Sequence, residues 1–120
     1  MRHALSMVLD AEAGIEVVAQ AAEISRAISL VHSYHPHVLV LDLSMTNGFT
    51  LRTVRRLRSE EPGTQVVIIT MGDGRGFASR SHEAGAAGFV IKDRADDLVE
   101  AVRRAARGEE FTSPHLPGAP

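Results

Sequence analysis

Cysteine is absent from the 120-residue sequence. The chain can therefore form no disulfide, no thiolate nucleophile and no cysteine-ligated zinc site, and nothing indicates an oxidising compartment. Long apolar runs are also missing, since no stretch approaches the roughly 18 apolar residues of a membrane-spanning helix. The N-terminus, Met1 to Asp10, mixes charged and apolar residues and does not read as a secretory leader. We therefore expect a cytoplasmic protein without a membrane segment.

An excess of positive charge is missing too, because 13 basic residues face 15 acidic ones and the formal net charge is −2. This balance disfavours a general nucleic-acid binder. The length suits one domain, which we expect over residues 1–110, followed by a tail or the start of a linker over 111–120. That last stretch is rich in proline, and we expect no DNA-binding module and no direct DNA binding from this chain.

Apolar runs and amphipathic stretches alternate along the sequence. Short runs with many β-branched residues predict strands, and they are Ile15–Ala21, Val38–Leu41, Val66–Ile69 and Gly88–Ile91. Apolar residues recurring at three and four predict helices, and they are Ile24, Ala27, Ile28 and Val31, then Leu51, Val54 and Leu57, then Leu98, Val102 and Ala105. Pro36, Pro62, Gly85 and Gly108 are expected to end helices. The alternation predicts an α/β fold with an open parallel sheet and helices on both faces.

Polar residues follow three of these strands directly. Asp42, Thr70 and Lys92, the only lysine, come immediately after the second, third and fourth apolar runs. The carboxyl ends of parallel strands share one edge of the sheet, where sites of this fold class gather. A carboxylate could attack a phosphoryl group there, while a hydroxyl and an ammonium hold its oxygens. The alternative for each residue is an ordinary polar strand end.

The segments HVLVLDLSM, VVIITM and AGAAGFVIKD, followed by DDLVEAVRRAARGEEFTSP, resemble a response-regulator receiver domain of the subgroup that precedes a LuxR-type helix-turn-helix. The resemblance covers nearly the whole chain and implies a flavodoxin-like fold. It implies that Asp42 is the phosphoacceptor, that Thr70 and Lys92 contact the phosphoryl group, and that Phe89 is the aromatic residue that changes rotamer on activation. It also implies a sensor histidine kinase as partner and a homodimer. The dimer interface is expected around the last helix, at Asp96, Asp97, Arg103 and Arg107.

The sequence departs from the family at its start, because Met1 aligns inside the family's first helix. The family's first strand and the acidic pair after it then have no counterpart. We expect a four-stranded sheet in which the strand from Ile15 pairs directly with the strand from Val38, with dimerisation covering the remaining apolar surface. The alternative is that a second subunit covers the gap left by the missing strand. Magnesium should bind weakly or not at all, since Asp42 alone supplies too few ligands. Asp73 beside Gly72 and Gly74 is interpreted as a turn residue.

Two other groups of residues are interpreted without a site. His32, His35 and His37 are assigned to a helix end because no carboxylate or cysteine is expected nearby to complete a metal site. Glu100 lies three and four residues from Arg103 and Arg104, which predicts ion pairs within the last helix.

Three functional hypotheses follow. The first is a truncated or degenerate receiver domain in two-component phosphorelay signalling, which is not an enzyme, acts through protein contacts and accepts phosphate poorly at Asp42. The second is a fully competent receiver whose first strand is encoded upstream of Met1. The third is a small flavodoxin-like hydrolase or nucleotide binder, which the absence of GxSxG and of a glycine-rich phosphate loop disfavours.

Overall fold

The computed structural model describes residues 2–42, 50–70, 77–91 and 95–112. Its helices are α1 (Arg2–Asp10), α2 (Ile24–Tyr34), α3 (Thr50–Glu60), α4 (Phe77–Ala84) and α5 (Ala95–Ala106). Its strands are β1 (Val38–Asp42), β2 (Gln65–Thr70), β3 (Gly88–Ile91) and β4 (Phe111–Thr112). No helix within these ranges is long and apolar enough to cross a membrane.

The four strands form one parallel sheet in the order β1-β2-β3-β4, which is also their order along the chain. β2 and β3 are buried on both faces, which explains their continuous apolar composition, whereas β1 at the edge of the sheet is fully buried only at Leu41 and half-buried elsewhere. Leu41 and Ile68 lie on one face, whereas Val67 and Ile69 lie on the other. The parallel α/β sheet predicted from the sequence is confirmed.

The helices cover the two faces as right-handed crossovers require. One core joins the sheet to α1 and α5 through Leu9, Leu98 and Ala101. The other joins it to α3 and α4 through Val54 and Ala84, with α2 at its margin. We name these the α1/α5 face and the α3/α4 face.

The prediction for Ile15–Ala21 is wrong, because residues 15–20 belong to no strand and make no ladder with β1. Contacts with α1 hold this stretch instead. The amide of Ile15 donates to the Glu12 carbonyl at 3.2 Å, and the amide of Val17 donates to Asp10 Oδ1 at 3.1 Å. The Ile15 and Val17 side chains still pack against the core of the α1/α5 face. Apolar character placed them against the core without giving them a strand partner.

The fourth strand comes instead from the other end of the chain. Phe111 and Thr112 pair with Gly88 and Phe89 of β3. The Phe111 amide donates to the Ala87 carbonyl at 2.8 Å, and the Phe111 ring packs against the α1/α5 core. The sheet therefore includes the first two residues of the stretch 111–120, which was predicted to be a tail or the start of a linker.

The helix ends follow the sequence signals. Gly85 after α4 and Gly108 after α5 have positive φ angles of +113° and +77°, a region that glycine enters without steric cost. α2 ends before Pro36, and His35 takes the left-handed position there with φ 47° while its amide donates to Val31. α3 ends two residues before Pro62.

Candidate functional site at the carboxyl ends of the strands

Asp42 and Thr70 are the last residues of two adjacent strands. Asp42 of β1 is half-buried and lies opposite Ile69 of β2, so that Thr70 is one residue further along. Thr70 is 7% exposed and lies opposite Ile91 of β3. Neighbouring strands are about 4.8 Å apart, which brings the backbones of Asp42 and Thr70 close together at this edge. The structure therefore places the backbones of these two predicted residues close together at one edge of the sheet.

The alternation of side chains separates the residues of this edge between the two faces. By this alternation Asp42 is on the α1/α5 face, as Val40 and Ile69 are. Thr70 is on the α3/α4 face, as Ile68 is. Phe89 of β3, which is fully buried, lies opposite Ile68 on that same face. Thr70 and Phe89 therefore share the face covered by α4.

Lys92 follows the last residue of β3, and it lies outside the described residues, as do Asp73 and its neighbouring glycines. Their assignments stay predictions.

The described residues can be compared with the ligand set that magnesium prefers. No group of three or more His, Asp or Glu side chains with metal-binding geometry occurs among them. Magnesium prefers six oxygen ligands in near-octahedral geometry and usually binds through one or two carboxylates and several waters. At this edge Asp42 is the carboxylate that the described strands contribute.

The charged residues predicted around α5 make contacts within the chain. Arg103 donates from Nη2 to Glu12 Oε1 and to the Ala13 carbonyl, both at 3.1 Å. Arg104 takes the predicted pairing with Glu100, at 2.6 Å. The Arg104 hydrogen bond lowers the pKa of Glu100 and that carboxylate raises the pKa of Arg104. Arg107 pairs with Glu109.

Asp96 is exposed and Asp97 half-buried near the start of α5. Their place in the first turn suits the positive end of the helix dipole. The helix dipole therefore accounts for both acidic residues, and their assignment to an interface stays a prediction.

Carboxylates do lie near the histidines at the end of α2, so the prediction that none is nearby is wrong. His32 Nδ1 lies 3.1 Å from Glu61 Oε2 and its Nε2 lies 3.2 Å from Glu60 Oε1. His35 Nδ1 lies 2.8 Å from Glu61 Oε1. Hydrogen bonds from His35 and then His32 are the main causes that lower the pKa of Glu61. The fold brings the ends of α2 and α3 together, a contact across 26 to 29 residues that no local pattern indicates.

Sequence reasoning also missed His82 and Arg58. His82 of α4 bonds to the Ala86 carbonyl and to Thr112. Arg58 of α3 donates to the carbonyls of Pro62 and Thr64 at 3.0 and 2.8 Å. Neither residue belongs to a recognisable motif, and the two side chains reach carbonyls that become available only when the turns after α3 and α4 form.

A family model described as the response regulator receiver domain matches residues 1–103. The oxygen regulatory protein NreC of Staphylococcus epidermidis is 34% identical over 118 residues, covering 97% of this chain and 54% of that protein. The nitrate/nitrite response regulator protein NarP of Escherichia coli is 33% identical over 114 residues, covering 94% and 53%. The chain thus spans about half the length of these curated relatives.

Solved structures agree with this assignment. The two-component response regulator of the LuxR family from Aurantimonas sp. SI85-9A1 superposes with a TM-score of 0.86 at 29% identity, covering 95% of this chain and 82% of that one. The predicted flavodoxin-like fold and the LuxR-type association are therefore confirmed. The chain belongs to the response regulator receiver domain family of two-component phosphorelay signalling.

Proposed function

We propose that this chain is a signalling module whose phosphoacceptor is Asp42 and whose output is a contact with a protein partner. The observation that supports it is the juxtaposition of Asp42 and Thr70 at the carboxyl ends of adjacent strands. In the proposed transfer, an Asp42 carboxylate oxygen bonds to the phosphorus while the bond from phosphorus to the donor's leaving group breaks. Thr70, at one neighbouring strand end, and Lys92, one residue beyond the next strand, are the groups proposed to hold the transferred oxygens.

Transfer to Asp42 is proposed to be poor in this chain. Phosphoryl transfer uses a metal ion to neutralise the charge on the equatorial oxygens. Receiver domains in general bind magnesium at an acidic pocket, whereas Asp42 is the carboxylate that the described strand ends offer. Magnesium binding that is weak or absent would leave the negative charges of the phosphoryl group and of Asp42 facing each other.

Phe89 is proposed to respond to the state of Thr70. The two residues lie on one face, with Phe89 opposite Ile68 and Thr70 two residues further along β2. Phe89 fills the core beneath α4 and is fully buried. A shift of Thr70 toward a phosphoryl group would therefore change the packing space of this ring.

The proposed partners are a sensor histidine kinase, which donates the phosphoryl group, and a second copy of the chain. The copy would contact α5, where Asp96, Asp97 and Arg107 reach the surface and Arg103 is held by Glu12. We propose a single domain that extends beyond residue 110 to include β4, and a cytoplasmic location.

Intact-mass spectrometry tests the assignment of Asp42. The protein and its Asp42→Asn variant are incubated with acetyl phosphate or phosphoramidate in the presence of magnesium. We expect a minor adduct of one phosphoryl group on the natural sequence and none on Asp42→Asn. Stoichiometric labelling that Asp42→Asn abolishes would overturn poor transfer and establish a competent receiver. Labelling that persists in Asp42→Asn would show that Asp42 is not the acceptor.

A further inference from the structure

The ring of His82 connects α4 to two other parts of the fold. Its Nδ1 lies 2.8 Å from the Ala86 carbonyl oxygen, and its Nε2 lies 2.7 Å from the Thr112 hydroxyl. A carbonyl oxygen can only accept a hydrogen bond, so Nδ1 must carry a proton and donate it. In the neutral ring Nε2 then accepts from the Thr112 hydroxyl. The contacts therefore select one tautomer of His82.

The Thr112 hydroxyl is the group that joins β4 to α4. The other contacts of β4 among the described residues lead elsewhere. The Phe111 amide bonds to Ala87 before β3, and the Arg104 guanidinium of α5 lies 5.7 Å from the centre of the Phe111 ring. β4 thus has separate attachments to β3, to α5 and, through His82, to α4.

Two features of α4, its short length and a buried serine, lower its local stability. It is eight residues long, shorter than the length at which helices form by themselves. Ser81 is completely buried in it, and the Ser81 hydroxyl has no hydrogen-bond partner among the described residues. A buried hydroxyl without a partner loses its hydration without compensation. The His82 contacts are therefore attachments of a short helix that carries an unsatisfied buried hydroxyl.

We propose that His82 is a positioning residue that transmits movement of α4 to β4, the strand from which the chain continues toward Pro120. α4 follows β2, which ends at Thr70, and the buried ring of Phe89 packs in the core that α4 covers. β4 lies on the far side of β3 from β2. The His82–Thr112 bond links α4 directly to this edge of the sheet. The trigger of the movement rests on the function proposed above, whereas the coupling itself does not.

Paired substitutions separate the two bonds of the ring. His82→Asn retains an amide near the position of Nδ1 but cannot reach Thr112, whereas His82→Gln places an amide near Nε2. Thr112→Val removes the hydroxyl with little change of shape, and Thr112→Ser keeps the hydroxyl. Amide hydrogen exchange of the unphosphorylated chain is measured at Phe111 and along α4. We expect His82→Asn and Thr112→Val to speed exchange at Phe111 by about three- to tenfold, the factor given by a hydrogen bond of ordinary net strength. Thr112→Ser should change it little.

Ser81→Ala tests transmission from α4. Removing the unpartnered hydroxyl should slow exchange of the α4 amides by about fivefold, and slow exchange at Phe111 in the same direction. In the Thr112→Val background the effect on α4 should remain and the effect at Phe111 should disappear. The coupling would be overturned if Ser81→Ala left exchange at Phe111 unchanged in the natural sequence. It would also be overturned if Ser81→Ala still slowed exchange at Phe111 in the Thr112→Val background.

Nitrogen NMR of the His82 ring provides a second, independent measurement. We expect Nδ1 to be protonated and Nε2 to be the acceptor in the neutral ring, and we expect Thr112→Val to change the Nε2 signal while leaving Nδ1 in place. The opposite tautomer would contradict the contacts on which the proposal depends. None of these measurements involves phosphorylation, so the coupling and the function of Asp42 can fail separately.

Discussion

Replacing Gly85 by alanine tests how the turn after α4 is held against α3. Gly85 has a φ of +113°, and a Cβ built there would lie 2.7 Å from Cγ of Arg58. Alanine therefore adds backbone strain of about 1–2 kcal/mol and also forces Arg58 to move. Arg58 then weakens its bonds to Pro62 and Thr64, and one charged hydrogen bond contributes about 1.5–3 kcal/mol.

We expect Gly85→Ala to lower the free energy of unfolding by about 3–4 kcal/mol and the Tm by about 10–15 °C. The matched control is Gly108→Ala, because Gly108 also has a positive φ but a Cβ there would meet nothing within 4 Å. That substitution should cost only the strain, about 1–2 kcal/mol. Urea unfolding followed by circular dichroism measures both.

A double-mutant cycle isolates the part played by Arg58. In Arg58→Ala the contact with Cγ is gone and the nearest remaining atom, Cβ of residue 58, lies 3.5 Å from the added methyl. The cost of Gly85→Ala in that background should fall to that of Gly108→Ala. Equal costs for the two glycines in the natural sequence, or an undiminished cost in Arg58→Ala, would refute the reasoning.

Three further outcomes are expected. Magnesium should shift the NMR signals of Asp42 without saturating below the millimolar range, and tight saturation would mean that other acidic residues complete the site. Because Glu61 has a lowered pKa, its stabilising contribution is present above its ordinary pKa and is lost as pH falls through the pKa of the folded state. Glu61→Gln should therefore make the free energy of unfolding depend less on pH in that range, and an unchanged pH dependence would contradict this. Phe89→Ala should cost about 3–5 kcal/mol in urea unfolding, because a fully buried ring is removed, and a cost below 1 kcal/mol would argue against tight packing.

The sequence predicted the central strands because their burial on both faces requires continuous apolar residues. Helices α2, α3 and α5 were predictable for a related reason, since each buries one apolar face. Residues 15–20 show the limit of this reasoning. Ile15 and Val17 are buried in part, as their type suggests, but β-branched residues indicate an extended chain and do not indicate a partner strand.

β4 shows the opposite limit, because a strand of two residues has no periodicity to detect. Phe111 and Thr112 join the sheet through one amide bond, a ring packed on the core and a contact with His82. At the candidate site, strand ends fixed the positions of Asp42 and Thr70 and set them on adjacent strands. The contacts of His32, His35 and His82 depend on the tertiary fold, and their partners lie 26 to 30 residues away apart from the local bond to Ala86.

The agreement between strand order and chain order has a consequence for how the molecule assembles. Each new strand adds beside the one before it, so every pairing closes a loop of a single crossover. The ion pair between Glu12 and Arg103 is different, since it joins residues 91 positions apart. Loop closure over such a distance costs more entropy than any of the strand pairings. The sheet can therefore grow from β1 toward β4 during synthesis, and α1 gains its partner on α5 only near the end.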